Sequence, residues 1–302
     1  MRIDLHAHTT ASDGTYEPAE LVAMAEAAGL NVVAITDHDG TAGWSEARRA
    51  LRYGVEAGVW SHIQTVVPGV EISCKIHGIG LHMLGYMFDP EHPDLAAALA
   101  EIRESRTHRA EAMVEKAREL GAPITWERVQ EIADGGVVGR PHVASALVEA
   151  GVVSSVDAAF TPEWLGEGGR ARVEKLDMDP VRAIGLVKAA GGVTVMAHPM
   201  AWRRGPVVSE ADIAAFAEAG MDGIEMNHAD HGPKERDQVR ALAKELGLLT
   251  TGSSDWHGSR KPNIRLGDET TDPAVYEELV ARSSGTRPFS RRVLTPRSDR
   301  AF

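Results

Sequence analysis

A single cysteine, Cys74, stands in a chain of 302 residues, so no intrachain disulfide braces the fold. Aromatic residues are scarce too, at 5%. No apolar run approaches the roughly 20 residues of a helical membrane span, and a chain that is 25% charged is not one that lives in lipid as a bundle of helices. The opening MRIDLHAHTT has neither the basic nor the apolar stretch of a secretory signal, so a reducing cytoplasm is the expected compartment. Lysine and arginine are outnumbered, 32 against 44 acidic residues, and the formal charge of −12 disfavours a protein that coats long nucleic acid by neutralising phosphates. A short phosphorylated ligand held locally is still compatible with that balance. Two further signatures are missing: no GxSxG elbow presents a serine, and AAGGV at 189–193 leads into neither GK[ST] nor GxGxxG.

What the chain does have is 43% hydrophobic residues, enough for one main domain and a smaller one, and 13 histidines. Aliphatic runs alternate with Ala-rich amphipathic stretches: RIDLHAH, PAELVAMAEAAGL, NVVAITDHD, TAGWSEARRALRYGVEAG, IQTVVPGVEIS. That is the rhythm of β/α units on a parallel sheet. Pro18 suits the start of the first helix and Gly29 its end. A long helical pattern then runs from Asp94 to Leu120, closed by Gly121 and Pro123, and only helical pieces and a Gly-rich turn at Leu165 to Gly169 follow it. Residues 92–177 therefore read as a helical insertion into a discontinuous domain made of 1–91 and 178–285. The tail, 286–302, carries five arginines against one aspartate and reads as a solvated basic terminus.

The histidines gather at expected strand ends. His6 and His8 share one face of the first strand because side chains at i and i+2 point the same way. Asp13 follows in a Ser-Asp-Gly turn, the second strand ends in Thr36-Asp37-His38-Asp39, Glu71 sits in PGVEIS and His82 in GLHMLGY. His198 closes VTVMAHP, and Asp255 and His257 close LLTTGSSDWH. The C-terminal ends of parallel strands are where α/β proteins build sites. Any one of these histidines is more simply a satisfied core or surface residue. Together they are not, because buried charge is costly unless paired or bound to a metal. Nitrogen and carboxylate donors favour Mn, Fe or Zn, and their number favours more than one ion. His62, His77, His92, His108 and His228 read as solvated, and Arg103, Arg106 and Arg109 as an exposed stripe on the long helix.

IDLHAHTTASDG, AITDHDGTAG, PGVEIS, LHMLGY, AHP and SSDWHG, in this order, resemble the PHP (polymerase and histidinol phosphatase) family of metal-dependent phosphoesterases over essentially the whole chain. GRPHVA and GIEMNHADH resemble its TrpH/YciV-like branch, which holds nucleoside 3′,5′-bisphosphate phosphatases and a 5′-to-3′ exoribonuclease. The resemblance implies an α/β fold, a distorted (β/α)7 barrel with a small helical insertion domain, and two or three divalent ions, Mn foremost. It implies one ion on His6, His8 and Asp255, with Glu71 bridging to a second completed by His82 and His198, and a third on Asp13, His38 and His257. Some relatives carry His where this chain has Asp13.

The implied mechanism is attack by a metal-bound hydroxide, held by Glu71, Asp255 and His198, with no protein nucleophile. Asp37 or Asp39 would orient an imidazole or cap a turn. Phosphate would be met by Arg140 and His142 in GRPH, whose plainer reading is a helix start, and by His231. The GKPxYV segment of close relatives is absent; Gly168-Gly169-Arg170-Ala171-Arg172-Val173 stands there, with arginines but no ring. The implied substrate is a small phosphorylated molecule, a nucleotide such as a 3′,5′-bisphosphate. Short 5′-phosphorylated RNA and histidinol phosphate are alternatives, and a metal-binding regulatory module is the non-enzymatic one. No membrane and no protein partner is implied.

Overall fold

Strand and helix alternate along the chain much as the apolar pattern predicts, and a computed structural model shows how they close; it describes residues 1–134, 138–173 and 176–291. In chain order the elements are β1 (Ile3–Asp4), α1 (Pro18–Ala27), β2 (Val32–Ile35), α2 (Trp44–Glu56), β3 (Thr65–Ile76), β4 (Ile79–Tyr86), α3 (Pro93–Glu119), α4 (Trp126–Ala133) and α5 (Arg140–Glu149). Then follow α6 (Val156–Ala159), α7 (Pro180–Ala189), β5 (Val193–Met196), α8 (Glu210–Glu218), β6 (Gly223–Asn227), α9 (Pro233–Leu246), β7 (Leu249–Gly252), α10 (Pro273–Arg282) and β8 (Phe289–Ser290). The fold is α/β. Its main sheet is a nearly closed barrel in the order β1-β2-β3-β4-β5-β6-β7.

The two edges of that sheet meet through one parallel bridge, between Ala7 and Trp256. His8 N donates to Trp256 O at 2.8 Å, and Thr36 N to Ala7 O at 2.9 Å. Ile3, Leu5, Val67, Leu84, Tyr86 and Val195 belong to one buried apolar cluster, and the Tyr86 hydroxyl donates to Leu5 O at 2.7 Å. Helix starts follow the side-chain logic of their sequences: Asp179 caps α7, Asp272 caps α10, and Ser209 with Asp212 forms a capping box on α8.

Two expectations for the barrel unit change. The sheet is not uniformly parallel: β4 runs antiparallel to both β3 and β5. His77 and Gly78 join β3 to β4 with φ of 51° and 80°, the backbone of a two-residue hairpin turn. Glu71 and His82 therefore lie inside a hairpin rather than at two strand ends. The register pairs Glu71 with Leu84 and Ser73 with His82, which sets Glu71 and His82 on one face. The start of the basic tail is also structured, because β8 pairs with the first residues of β3 and the Arg48 guanidinium lies 5.5 Å from the centre of the Phe289 ring. Residues 292–302 lie outside the described residues.

Residues Met1–Ala98 and Asp177–Phe302 form one compact unit, Leu99–Leu176 a second. The second has its own core, with Met113, Val114, Ala117, Val129, Val143 and Leu147 buried. Its arginine stripe is half-buried rather than solvated, and Arg109 Nε donates to Val173 O at 2.7 Å. No helix among the described residues is long and apolar enough to cross a membrane.

One surface carboxylate organises the approach to β3. Glu26 accepts the backbone N–H groups of Ser61, His62 and Ile63, each at 2.8 Å, and the Ser61 hydroxyl at 2.7 Å. Burial pushes its pKa up, but these donors together outweigh it and bring the pKa down to about 2. A lowered folded-state pKa means stability that is full above the ordinary carboxylate range and lost as pH falls towards 2. Glu26→Ala is expected to cost about 1–2 kcal/mol at pH 7, read by urea denaturation, with the difference narrowing below pH 4. An unchanged midpoint at pH 7 would contradict this role.

Candidate metal centre

The barrel seam draws the first and last parts of the sequence together. Asp4, fully buried, accepts Ser254 N at 3.0 Å, Gly267 N at 2.8 Å and His6 N at 3.3 Å. It thereby fixes the β1 exit against the β7 exit, and its burial raises its pKa to about 6. Beyond this staple, the His6 and His8 Nε2 atoms approach to 3.1 Å, and each lies 3.4 Å from Asp255 Oδ1. Gly14 lets the next turn close on this strand, since a Cβ there would meet His8 O at 2.5 Å. That turn brings Asp13 within 3.5 Å of both His8 Nδ1 and His257 Nε2.

Glu71 is the shared member. Its Oε1 lies 2.7 Å from His82 Nδ1 and 3.2 Å from His198 Nε2. Its Oε2 lies 3.4 Å from His6 Nε2, 3.1 Å from His8 Nε2 and 3.1 Å from His38 Nδ1. Three groups have donor atoms converging closely enough for an ion: His6, His8, Glu71 and Asp255; His8, Asp13, His38 and His257; His38, Glu71 and His82. All nine sequence-predicted ligands thus come together around Glu71, Asp13 and Asp255.

The donor set fits divalent metals. His82 Nδ1 is buried and has no hydrogen-bond partner among the described residues, although it lies 2.7 Å from a carboxylate oxygen. Such an approach suits two ligands that face a common ion better than it suits a hydrogen bond. Burial opposes ionisation of Glu71 and Asp255, yet the imidazoles around them, and Lys261 beside Asp255, hold both well below the usual carboxylate range. Burial, helped by the charge of Arg204, lowers His198 to about 3; burial and the charge of His8 lower His257 to about 4. Neutral imidazole and ionised carboxylate are the ligating forms. His8 runs the other way, to about 9, because hydrogen bonds to Asp255 and Glu71 outweigh its burial.

Backbone strain marks the same place. Asp39, His198 and Asp255 have φ of 53°, 30° and 53°, in the left-handed region that non-glycine residues seldom adopt and that recurs at functional sites. Asp37 and Asp39 turn out to hold backbone: Asp37 accepts Thr9 N, Thr9 Oγ1 and Ser12 Oγ, and Asp39 accepts Ser73 N and Ser73 Oγ.

The phosphate candidates have contacts of their own within each unit. His231 is buried, with Nε2 accepting Met200 N at 3.1 Å and Nδ1 facing Met226 O at 2.9 Å, so both ring nitrogens serve the fold. His142 is buried at the start of α5, its Nδ1 accepting Gly139 N at 3.0 Å, and the Arg140 guanidinium lies 5.6 Å from the centre of the Phe160 ring.

Several residues were not singled out from sequence. His228, expected to be solvated, is fully buried with Nε2 3.4 Å from Asp255 Oδ2. Arg204 and Lys261 each reach that same oxygen at 2.7 Å. Glu225 accepts His198 N at 2.8 Å, approaches His6 Nδ1 at 3.3 Å and takes the Ser253 hydroxyl. A carboxylate within the strand GIEMN was the available signal for Glu225. For Arg204 and Lys261, sequence offered none.

The chain belongs to the PHP family: the PHP domain profile matches residues 4–83, and full-length relatives agree. It is a hydrolase of phosphoester bonds. A 5′-3′ exoribonuclease from Haemophilus influenzae is 37% identical over 256 residues, covering 85% of this chain and 90% of that one. A 3′,5′-nucleoside bisphosphate phosphatase from Chromobacterium violaceum is 31% identical over 293 residues, 93% of this chain and 97% of that one. Among solved structures, a Bifidobacterium adolescentis protein described as a metal-dependent phosphoesterase superposes with a TM-score of 0.83 at 35% identity, over 93% of this chain and 96% of that one.

Because Glu225 ties the exits of three strands, Glu225→Gln is expected to lower stability by about 1–3 kcal/mol in urea, as one acceptor oxygen becomes a donor among buried partners. A shift below about 0.5 kcal/mol would show that those partners find other acceptors.

Proposed function

We propose that the nine clustered side chains hold two or three divalent ions, Mn foremost with Fe or Zn also suited, and that the substrate is a small nucleotide such as a nucleoside 3′,5′-bisphosphate. The observation that carries the reading is the division of Glu71, one oxygen among His82 and His198, the other among His6, His8 and His38. A carboxylate so placed is positioned to bridge two ions. His6, His8 and Asp255 would hold the first, Glu71, His82 and His198 the second, and Asp13, His38 and His257 the third. When bound, such ions supply Lewis acidity towards a phosphoryl oxygen and lower the pKa of a coordinated water.

The chain's own residues do the rest. Asp255 offers Oδ1 to His6 and His8 while Arg204 and Lys261, with His228, face Oδ2, so the ligating oxygen is fixed from behind. Glu225 orients the His6 ring through Nδ1 and leaves Nε2 facing the cluster. His231 holds the backbone that follows His198.

A second reading, 5′-to-3′ exonuclease action on short 5′-phosphorylated RNA, is favoured by the higher identity to the Haemophilus influenzae exoribonuclease than to the bisphosphate phosphatase, 37% against 31%. Product analysis separates the two. Mn-loaded protein and a chelated control are given adenosine 3′,5′-bisphosphate, a 5′-phosphorylated RNA pentamer and histidinol phosphate in separate reactions. AMP and phosphate from the first are expected; stepwise mononucleotides from the pentamer would move the assignment to the exonuclease. Silence on all three with metal bound would overturn both. Asp255→Asn, which keeps shape and tolerates the left-handed backbone, is expected to lower both metal content by elemental analysis and turnover, the latter by about 10²–10³-fold, with near-native thermal unfolding.

A further inference from the structure

In a chain poor in aromatic residues, Trp44 and Trp256 are buried, yet Trp202 is 54% exposed. It opens a short 3-10 turn, Trp202–Arg204, that follows His198 directly in the barrel unit. The turn is braced at both ends. Ala201 N donates to His198 O at 3.2 Å and Met200 N to His231 Nε2 at 3.1 Å. At the other end, the Arg204 guanidinium bridges Asp230 Oδ2 at 2.6 Å and Asp255 Oδ2 at 2.7 Å. Within it, Trp202 N donates to Met200 O at 2.8 Å and Gly205 N to Trp202 O at 3.2 Å. The backbone carrying the indole is thus tied on one side to His198 and on the other to Asp255, while the ring is left largely in water.

An indole is the largest apolar surface a side chain offers, and a fold that exposes it on a rigid turn forgoes its burial. Beside it, Arg203 is exposed and makes no hydrogen bond or ion pair among the described residues. A flat exposed ring with a cation next to it in sequence, on a turn tied to His198 and Asp255, matches a molecule that carries an aromatic base a sugar's length from a phosphate. We propose that Trp202 is the platform on which the substrate's nucleobase stacks, with Arg203 meeting a phosphate other than the one cleaved. Trp202 is then a specificity-determining residue, and the inference rests on the nucleotide reading above. Stacking accepts any base, so a mononucleotide and the 5′ end of an RNA present the same chemistry.

The test compares adenosine 3′,5′-bisphosphate with its abasic analogue, 1-deoxyribose 3,5-bisphosphate, in wild type, Trp202→Ala and Trp202→Phe. Trp202→Ala is expected to lower kcat/KM on the nucleotide about tenfold, within the range that base stacking on a ring covers. The loss should fall in KM, leave the abasic substrate unchanged, and be largely restored by Trp202→Phe. Equal losses on both substrates, or none on either, overturn the proposal. Indole fluorescence supplies a readout that needs no turnover: AMP should quench wild type and fail to quench Trp202→Ala, whereas quenching retained in that variant, or absent from wild type, overturns it. Arg203→Ala should raise KM for the bisphosphate and leave KM for the 5′-phosphorylated pentamer within twofold if the mononucleotide is the substrate, and raise both if the RNA end is. A wild type that cleaves neither the nucleotide nor RNA would sink the reading of the reaction instead, and the AMP titration would still decide on Trp202.

Discussion

Everything at the candidate centre depends on one contact between the ends of the sheet, the bridge of Ala7 to Trp256. β1 is only two residues long, so the segment that carries His6 and His8 has little sheet of its own to hold it. Its position comes from that bridge, from the N–H of His8 on Trp256 O, and from the Asp4 carboxylate across the same seam. The two histidines and Asp255 meet because the barrel closes there. Had the sheet stayed open, the carboxylate and imidazoles would have faced separate edges, each in water.

Charge then makes the arrangement selective. Imidazoles hold the carboxylates of Glu71 and Asp255 ionised in spite of burial, while burial leaves His198 and His257 neutral. At these four residues the protein supplies the protonation states that a divalent cation asks for, whereas the carboxylates around His6 and His8 raise both imidazoles, and Arg204 and Lys261 restrain the negative charge of Asp255. That restraint is a directional one, since the two cations share one oxygen with His228, and His6, His8 and His257 face the other.

Much of this was legible in the sequence because metal-ligating side chains are unusual at strand ends in a way that composition and spacing reveal. His6, His8, Asp13, His38, Glu71, His82, His198, Asp255 and His257 could be picked out on those grounds, and they converge. The antiparallel β4 was not legible, because hydrophobic periodicity shows a strand without its direction, and the turn at His77-Gly78 is too short to advertise itself. His228 was misjudged for the opposite reason. A loop histidine reads as solvated unless the fold wraps the loop inward, and here the exit of β6 does so. Arg204 reaches an aspartate 51 residues away, which no local pattern shows, and Lys261, six residues after Asp255, meets it only because the intervening chain turns back.

The β3–β4 hairpin divides the centre by contact range. Glu71 and His82 sit on neighbouring arms of one short turn and can meet as soon as that turn forms. The seam residues meet only when parts of the chain 250 residues apart come together, as Asp4 and Ser254 do. Loop closure over that span carries the greater entropy cost and belongs to the slow, non-local end of folding. The ligand set is therefore part local and part global, and its completion coincides with completion of the barrel itself.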